Sequence, residues 1–531
     1  MLAAPPAARA CSADLDLLKR QPIDTCTVLL AERADVRSVG VREVLDCWNQ
    51  SCCARTMRGA ASSTPDQSHL HPRCRWRLNC GSSHAHVAGL RNTTAVREAE
   101  VRYVEREGKC LAYVVFGSGP SDILIQQTTC PIDLMWEMPY LGSFMETLGA
   151  MARVIVYDAR GQGASDSISD PDAATLEMAC DDALAVLEAA RASRATFFGM
   201  TAGAGGVTLG ATYPERIRSV IVNNLRPSIP EARSLTPTQR KQLARARVGV
   251  GSLEIDNPRL AHDPELRLWW GRAHRLLTSP EQVLAQIEWA ARQDIDAVLP
   301  TVRVPTLVLH RRENQVFDVE TSRAAARRLP NARFVELPGS ESDLFLGETA
   351  PVFAAIKQFL AEPEMTLAND RVLATVLFTD IVASTEQLAN VGDDAWRHLL
   401  DDHDQEMSRL VTDYRGRVIR STGDGTLATF DGAARAVRCA AALLDAARAQ
   451  GITLRVGLHT GEIELRPPDI AGIAVHIASR VASLAGANEI LVSRTVVDLT
   501  AGSGLEFEPR GEHVLKGVPG VWPTFAARTN A

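Results

Sequence analysis

The chain has 531 residues, of which 46% are hydrophobic and 23% are charged, and its net charge of -7 gives a pI near 6.0. This length suits two or three domains of ordinary globular composition. The acidic balance argues against a nucleic-acid or anionic-membrane partner, and there is no apolar run long enough to predict a membrane span. Because no basic start followed by an apolar block marks a secretion signal, we expect a cytoplasmic protein.

Residues 1–95 show no sustained hydrophobic period, which favours a disordered or non-native extension. Seven of the 11 cysteines lie in the first 80 residues, and the few that follow indicate a reducing compartment without a disulfide framework. A metal site is the alternative interpretation of this segment, but the spacing of its ligand-type residues matches no standard zinc finger. These residues are His69, His71, Cys74, Cys80, His84 and His86.

Residues 96–360 alternate strand-like and helix-like runs. Short apolar runs such as "DILIQQTT", "ARVIVYDARG", "RATFFGMTAG" and "PTLVLHRREN" are bounded by turn residues and separated by helical patterns. This rhythm predicts a mostly parallel sheet with helices on both faces. Between about 226 and 298 only helical patterns occur, which predicts an inserted helical lid.

The motifs of this segment resemble those of the α/β-hydrolase fold. "VYDARGQGASD" resembles the family's D-x-R-G-x-G-x-S strand end, and "GMTAG" resembles the nucleophile elbow G-x-S-x-G. The positions of the family's triad hold Thr201, Asn314 and Ser342 instead of serine, acid and histidine. A threonine hydroxyl needs a base near neutral pKa, so we predict a degenerate, inactive triad. Asp318 and Glu341 are the unconventional partners that this sequence leaves open.

A linker is predicted at 361–370, and a second strand–helix rhythm over 371–531 predicts an α+β sandwich. The strand "RVLATVLFTD" ends on Asp380, and "RVIRSTGDGTLATF" predicts a hairpin with Asp424 at its turn. Neighbouring strands could bring both carboxylates to one sheet edge, where they would suit Mg²⁺ or Mn²⁺. Each aspartate alone is typical of a turn, but the pair favours a metal site.

Several blocks in order resemble the catalytic domain of class III nucleotide cyclases, which has a ferredoxin-like α+β fold and occurs in multidomain mycobacterial enzymes. The blocks are "FTDIVAST", "STGDGTLATF", "DIAGIAVHIASRVASLA" and "GEHVLKGVPGVWPTF". The resemblance implies two divalent metal ions, Mg²⁺ or Mn²⁺, held by Asp380, the Ile381 carbonyl and Asp424.

The same resemblance assigns the residues that contact the nucleotide. Arg480 would stabilise charge on the α-phosphate, His476 would take the place of the usual asparagine near the ribose or phosphate, and Lys516 would bind the terminal phosphates. Arg420 replaces the family's usual base-binding lysine, and Asp469 matches its aspartate. Asp469 could accept from the amine of adenine but would face the carbonyl of guanine, so ATP is favoured over GTP.

We therefore predict an adenylate cyclase that forms cyclic AMP and pyrophosphate, with a hydrolase-like regulatory domain. Arg420 and Asp424 would be about 13 Å apart on one extended strand. In this family the metal pair of one chain faces the phosphate-binding residues of another, which implies a head-to-tail homodimer. The alternatives are a guanylate cyclase, a weak or silent scaffold whose middle domain binds a small molecule, and a hydrolase acting through Thr201.

Overall fold

The computed structural model describes residues 99–168, 174–200, 203–248, 251–362, 370–421 and 424–528. These residues belong to one compact unit of the chain, Ala95–Ala531. The predicted extension over residues 1–95, with its histidines and cysteines, lies outside the described residues, as does most of the predicted linker. Within the described ranges, no helix combines the length and the apolar character that a membrane span requires.

Eight strands form the first sheet. They are β1 (Arg102–Arg106), β2 (Lys109–Phe116), β3 (Asp122–Gln127), β4 (Arg153–Asp158), β5 (Ala195–Gly199), β6 (Ile217–Asn223), β7 (Thr306–Arg311) and β8 (Ala332–Leu337). Their order across the sheet is β1-β2-β4-β3-β5-β6-β7-β8, and all neighbours from β4 to β8 are parallel. β5 and β7 are buried along their whole length, because helices cover both faces of a parallel sheet.

Ten α-helices accompany this sheet in the described residues. They are α1 (Pro139–Met151), α2 (Leu176–Ala189), α3 (Ala204–Thr212), α4 (Pro230–Ser234), α5 (Pro237–Val248), α6 (Gly251–Asp256), α7 (Pro264–Leu277), α8 (Pro280–Arg292), α9 (Val319–Arg328) and α10 (Ala350–Leu360). Helices α4 to α8 follow one another between β6 and β7, within the segment for which the sequence predicts a lid. The parallel sheet with this helical insertion is an α/β-hydrolase fold, as predicted.

The second sheet follows the linker and also has eight strands. They are β9 (Arg371–Ile381), β10 (Arg417–Ser421), β11 (Thr426–Phe430), β12 (Leu454–Arg466), β13 (Asp469–Ala471), β14 (Ile490–Ser493), β15 (Phe507–His513) and β16 (Trp522–Ala527). The order is β10-β11-β9-β12-β14-β16-β15, with β13 paired to β12. The hairpin β10–β11 is antiparallel, as predicted, and lies at one edge of the sheet.

Five helices accompany the second sheet in the described residues: α11 (Ser384–Val391), α12 (Asp393–Asp413), α13 (Ala433–Ala449), α14 (Ile473–Leu484) and α15 (Arg494–Leu499). Alternate residues of β9 divide the two faces of this sheet. Leu373 and Leu377 belong to the core that includes α12 and α13. Ala374 and Val376 pack instead with Ala474 of α14. The α14 face is the one that carries the candidate site described below.

The first and second domains share one continuous hydrophobic core. Val207 of α3 and Leu377 of β9 belong to the same cluster of buried residues, and α3 contacts β9 directly. Charged groups add to this contact. Asp181 of α2 pairs with Arg435 of α13, and the partly buried Glu177 accepts hydrogen bonds at the N-terminus of α13. The first domain is therefore packed against the second domain on the face opposite α14.

Candidate active site

β9 and the β10–β11 hairpin bring two carboxylates to the same rim of the second sheet. Regular pairing of β9 with β11 ends at Phe378 and Leu427. Beyond this pair, the N–H of Ile381 donates to the carbonyl of Asp424 at 2.7 Å. Asp380 immediately precedes Ile381 and is about one-third exposed. The three residues assigned to the metals by resemblance thus lie together where two strands end.

The guanidinium group of Arg455 contacts the carboxylate of Asp380. The Nε of Arg455 is 2.6 Å from Oδ2 of Asp380, and the two residues are direct partners across β9 and β12. The carboxylate is thus placed to hold positive charge at this rim. Sequence analysis missed Arg455, which is 75 residues away along the chain. Only the register of β12 against β9 reveals the contact, and that register cannot be read from a local pattern.

Helix α14 presents the predicted phosphate-binding residues on one exposed stripe. His476 and Arg480 are four residues apart and both are exposed. Ile473 and Leu484 extend the same stripe and are 55% and 43% exposed. The helix lies close to the sheet because Gly457 of β12 has no side chain, and a Cβ there would be 2.1 Å from the backbone nitrogen of Ala482.

Lys516 lies in the loop between β15 and β16 and is exposed. Its neighbours Leu515 and Val518 are buried in a small cluster with Ile477 and Val481 of α14. This cluster fixes the lysine loop beside α14 without burying the lysine. The structure therefore brings Lys516 into the neighbourhood of the helix that carries Arg480.

The two residues assigned to the base contact each other. Arg420 Nη2 is 3.5 Å from Asp469 Oδ2, and both side chains are about half exposed. The expectation that Arg420 and Asp424 share one extended strand was wrong. Arg420 belongs to β10 and is opposite Leu427 of β11, whereas Asp424 lies between the two strands. β10 and β11 are antiparallel and Asp424 belongs to neither, so the 13 Å separation does not apply.

The described part of the degenerate triad consists of Asn314 and Ser342, because Thr201 lies outside the described residues. The hydroxyl of Ser342 is 3.5 Å from Oδ1 of Asn314, so the acid and histidine positions do meet. Oδ1 of Asn314 also accepts from the backbone N–H groups of Val316 and Phe317 at 2.8 and 3.0 Å. Asn314 thus shapes a turn, a role that demands no ionisable group.

Three buried asparagines hold the backbone of Ser342. Nδ2 of Asn223 and Nδ2 of Asn224 donate to its carbonyl at 2.7 and 3.0 Å, and its N–H donates to Oδ1 of Asn257 at 2.9 Å. Asn257 follows the lid helix α6 and also donates to Oδ2 of Asp343 at 2.8 Å. The segment that carries the base in active hydrolases is therefore fixed to the lid by neutral side chains.

Burial raises the pKa of Asp343, the residue after Ser342, to about 7. The hydrogen bond that its carboxylate accepts from Asn257 lowers this pKa, but burial has the larger effect. Asp318 and Glu341, the two possible unconventional partners of Thr201, each contact another part of the chain. Asp318 caps α9 by accepting from the N–H of Thr321 at 2.9 Å, and Glu341 lies 3.7 Å from the guanidinium of Arg311.

The loop after β3 gives a further reason to doubt hydrolysis, and sequence analysis missed it. Oε1 of the fully buried Gln127 accepts from the backbone N–H groups of Thr128 and Thr129 at 2.9 and 3.1 Å. In active α/β-hydrolases an N–H group of this loop helps to form the oxyanion hole. Here a side chain of the protein itself occupies these donors.

Comparison with known proteins agrees with this architecture. Residues 368–527 match the family model of the adenylate and guanylate cyclase catalytic domain. This part of the chain is therefore a cyclase catalytic domain, and a domain of the α/β-hydrolase fold precedes it. The resemblance stated from the sequence motifs is confirmed in both parts.

Similar proteins match one domain or the other. "Putative adenylate cyclase 3" of Rhizobium meliloti is 31% identical over 157 residues, which are 28% of this chain and 27% of that protein. "Putative carbamate hydrolase RutD" of Caulobacter is 27% identical over 228 residues, which are 41% of this chain and 84% of that protein. The chain thus spans about a quarter of the length of this cyclase relative. The crystal structure of an enol-lactonase from Burkholderia xenovorans aligns over 49% of this chain and 100% of its own, with 23% identity and a TM-score of 0.42.

Proposed function

We propose that the chain is an adenylate cyclase that converts ATP to cyclic AMP and pyrophosphate between two copies of its second domain. The observation that carries this proposal is the hydrogen bond from Ile381 to Asp424, because it brings Asp380 and Asp424 to one sheet rim. Arg480 and Lys516 then supply positive charge from α14 and its neighbouring loop. A nucleotide triphosphate needs both kinds of group at once.

The residues at this rim fit divalent metal ions. Two carboxylates and a backbone carbonyl are the oxygen ligands that Mg²⁺ and Mn²⁺ prefer. The guanidinium of Arg455 pairs with Asp380, so a metal ion would share this carboxylate with Arg455 or displace it. Cyclase domains of this class generally depend on divalent metal ions. When bound, two such ions would acidify the ribose 3′-hydroxyl and neutralise charge on the triphosphate.

The remaining steps belong to residues of this chain. The 3′-hydroxyl attacks the α-phosphate in line as pyrophosphate leaves, so orientation and charge stabilisation supply most of the rate. Arg480 stabilises the charge that builds on the α-phosphate. His476 lies one turn before Arg480 and donates a hydrogen bond to the ribose or phosphate. Lys516 holds the terminal phosphates as a point charge.

Adenine is selected by Arg420 and Asp469. Their 3.5 Å contact supports a shared subsite, because both side chains reach the same point of the surface. Asp469 accepts from the exocyclic amine of adenine, whereas guanine would place a carbonyl oxygen against this carboxylate. Arg420 donates to a ring nitrogen. An exposed ion pair contributes little stability, so the base can replace it at small cost.

A second copy of the chain completes the site. The exposed stripe of α14 has an apolar residue at each end, Ile473 and Leu484, and Val514 and Val521 near Lys516 are 80% and 57% exposed. Exposed apolar residues grouped in this way are typical of a surface that binds another protein. In a head-to-tail homodimer, Asp380 and Asp424 of one copy face Arg480 and Lys516 of the other, which creates two equivalent sites.

The first domain acts as a regulatory scaffold without hydrolase activity. This assignment is supported by the neutral Asn314 and Ser342 and by Gln127, which occupies the oxyanion-hole donors. A silent cyclase scaffold remains the alternative, favoured by the pairing of Asp380 with Arg455.

The test is cyclic nucleotide formation by the full-length chain with manganese and either ATP or GTP. We expect cyclic AMP from the wild type, less cyclic GMP, and neither product from the Asp380→Ala variant. A Glu406→Gln variant is the control, because Glu406 is one-third exposed on α12, away from the candidate site, and pairs only with Arg409 in the described residues. Equal activity of wild type and Asp380→Ala would exclude the proposed site.

A further inference from the structure

A side-chain hydroxyl adds to the backbone pairing of β9 and β11 next to the two proposed metal carboxylates. Thr379 immediately precedes Asp380, is only 4% exposed, and its Oγ1 accepts from the backbone N–H of Thr426 at 2.9 Å. Thr426 lies two residues after Asp424 and is 3% exposed. The bond therefore joins the end of β9 to the start of β11 in a place that water does not reach.

This bond to a side chain replaces a backbone hydrogen bond that a regular antiparallel pair of strands would make. The regular pairing of β9 with β11 ends with Phe378 opposite Leu427, so Thr379 would be opposite Thr426 in the next pair. In that pair the backbone carbonyl of Thr379 would normally accept from Thr426. The side-chain hydroxyl accepts instead, and a backbone bond between the strands is present again from Ile381 to Asp424. The two strands are thus joined through a side chain next to both carboxylates.

We propose that Thr379 is a positioning residue that sets the separation of Asp380 and Asp424 and thereby the affinity of this rim for divalent ions. The inference rests on the proposed function of these two carboxylates. Successive side chains of a strand point to opposite faces, so Thr379 points away from Asp380 and is not itself a ligand. It acts through the backbone of Thr426, which is two residues from Asp424.

The chemistry of the side chain decides whether this bond can exist. Valine would preserve the shape of Thr379 but would leave the buried N–H of Thr426 without its acceptor, so the strands would shift to satisfy it. Serine would keep the hydroxyl. Thr375 offers a matched control on the same strand and face. Thr375 is 1% exposed, and its Oγ1 lies 2.8 Å from Oγ1 of Thr460. This contact lies further back along β9, away from the end that carries Asp380.

The experiment uses full-length protein and measures Mn²⁺ binding from the electron paramagnetic resonance signal of the free ion. 3′-deoxy-ATP is present throughout, because it lacks the attacking hydroxyl and cannot cyclise. The variants are Thr379→Val, Thr379→Ser and Thr375→Val, with Asp380→Ala as the reference for a lost site. The Mn²⁺ concentration that gives half-maximal cyclic AMP formation from ATP is measured in parallel.

We expect Thr379→Val to weaken Mn²⁺ binding about 10–100-fold, the range typical of residues that orient metal ligands, while Thr379→Ser and Thr375→Val stay close to the wild type. Unchanged binding in Thr379→Val, or equal weakening in Thr375→Val, would overturn the inference. Should Thr379→Val not fold, Thr379→Cys replaces it, because a thiol is a weak acceptor, and unchanged binding again overturns the inference. If the wild type binds Mn²⁺ through Asp380 yet forms no cyclic nucleotide, the proposed reaction fails while the binding comparison still decides the role of Thr379.

Discussion

Asp181 of the first domain and Arg435 of the second form an ion pair whose side chains are only 5% and 15% exposed. Arg415 and Arg106 also approach Asp181, at 2.9 and 3.6 Å. One buried carboxylate therefore receives three guanidinium groups from both domains. Burial raises the pKa of Asp181, and the nearby arginines oppose this effect. The contact between the domains thus includes a buried carboxylate that is shared by three arginines, of which Arg435 also pairs with Asp431 and Arg415 with Glu107.

Replacing this carboxylate should weaken the folded protein strongly. We expect Asp181→Asn to lower the free energy of unfolding by about 1–3 kcal/mol, because three guanidinium groups lose a buried charged acceptor while Arg435 and Arg415 keep Asp431 and Glu107. Urea unfolding of the full-length chain measures this change. Asp445→Asn is the control, since Asp445 forms an exposed pair with Arg448 and should cost less than about 1 kcal/mol. Similar small effects in both variants would show that the interface does not depend on this charge.

Glu177 should make stability depend on pH. Its carboxylate accepts from the backbone N–H groups of Ala434 and Arg435, and burial raises its pKa from 4.5 to about 7. A raised pKa means that the folded protein binds the proton more tightly than the unfolded chain does. The stability that Glu177 contributes is therefore present below pH 4.5 and is lost as pH rises to about 7.

The Glu177→Gln variant tests this dependence, because glutamine keeps an acceptor and has no proton to lose. We expect its unfolding free energy, relative to the wild type, to increase between pH 4.5 and 7 by on the order of 2–3 kcal/mol and then to level off. Comparison with the wild type at each pH cancels the contribution of other buried carboxylates such as Asp343. A difference that is constant from pH 4 to 8 would contradict the raised pKa.

Asp469 should control the choice of base. The Asp469→Asn substitution replaces an obligate acceptor with a side chain that can also donate to the carbonyl of guanine. We expect the ratio of kcat/KM for GTP to that for ATP to rise about tenfold. Glu464→Gln is a suitable control, because Glu464 is a nearby carboxylate of β12 that pairs with Arg466 at the surface. An unchanged ratio in Asp469→Asn would mean that this carboxylate does not contact the base.

The meeting of Asp380 and Asp424 at one sheet rim could be predicted from the sequence because its signals are local. An apolar strand that ends on Asp380 and a Gly-Asp-Gly turn at Asp424 each reveal a chain reversal, and two adjacent strands then share an edge. Arg455 and Thr379 could not be predicted as partners of this rim. Their contacts depend on the register of β12 and β11 against β9, which is set by packing over long separations.

The hydrolase-like fold was predictable from its strand rhythm and turn motifs. The hydrogen bonds that hold the residues at its triad positions were not predictable. The neutral residues at the triad positions were evident in the sequence, but the asparagines that hold Ser342 come from two distant parts of the chain. Asp424 was wrongly expected on the same extended strand as Arg420, because β10 ends at Ser421. The contact of Asp181 with Arg435 joins residues 254 apart, and no local pattern predicts it.

Mixing two inactive variants tests the central claim most directly. Asp380→Ala lacks a metal carboxylate, and Arg480→Ala lacks the charge that stabilises the α-phosphate. In a head-to-tail dimer the mixed species keeps one intact site, so random mixing should restore about a quarter of the wild-type cyclic AMP activity. Asp380→Ala mixed with Asp424→Ala should remain inactive, because both substitutions affect the metal rim. Recovery in the first mixture alone is the predicted result, and no recovery in that mixture, with both variants folded and dimeric, would contradict a site shared between two copies.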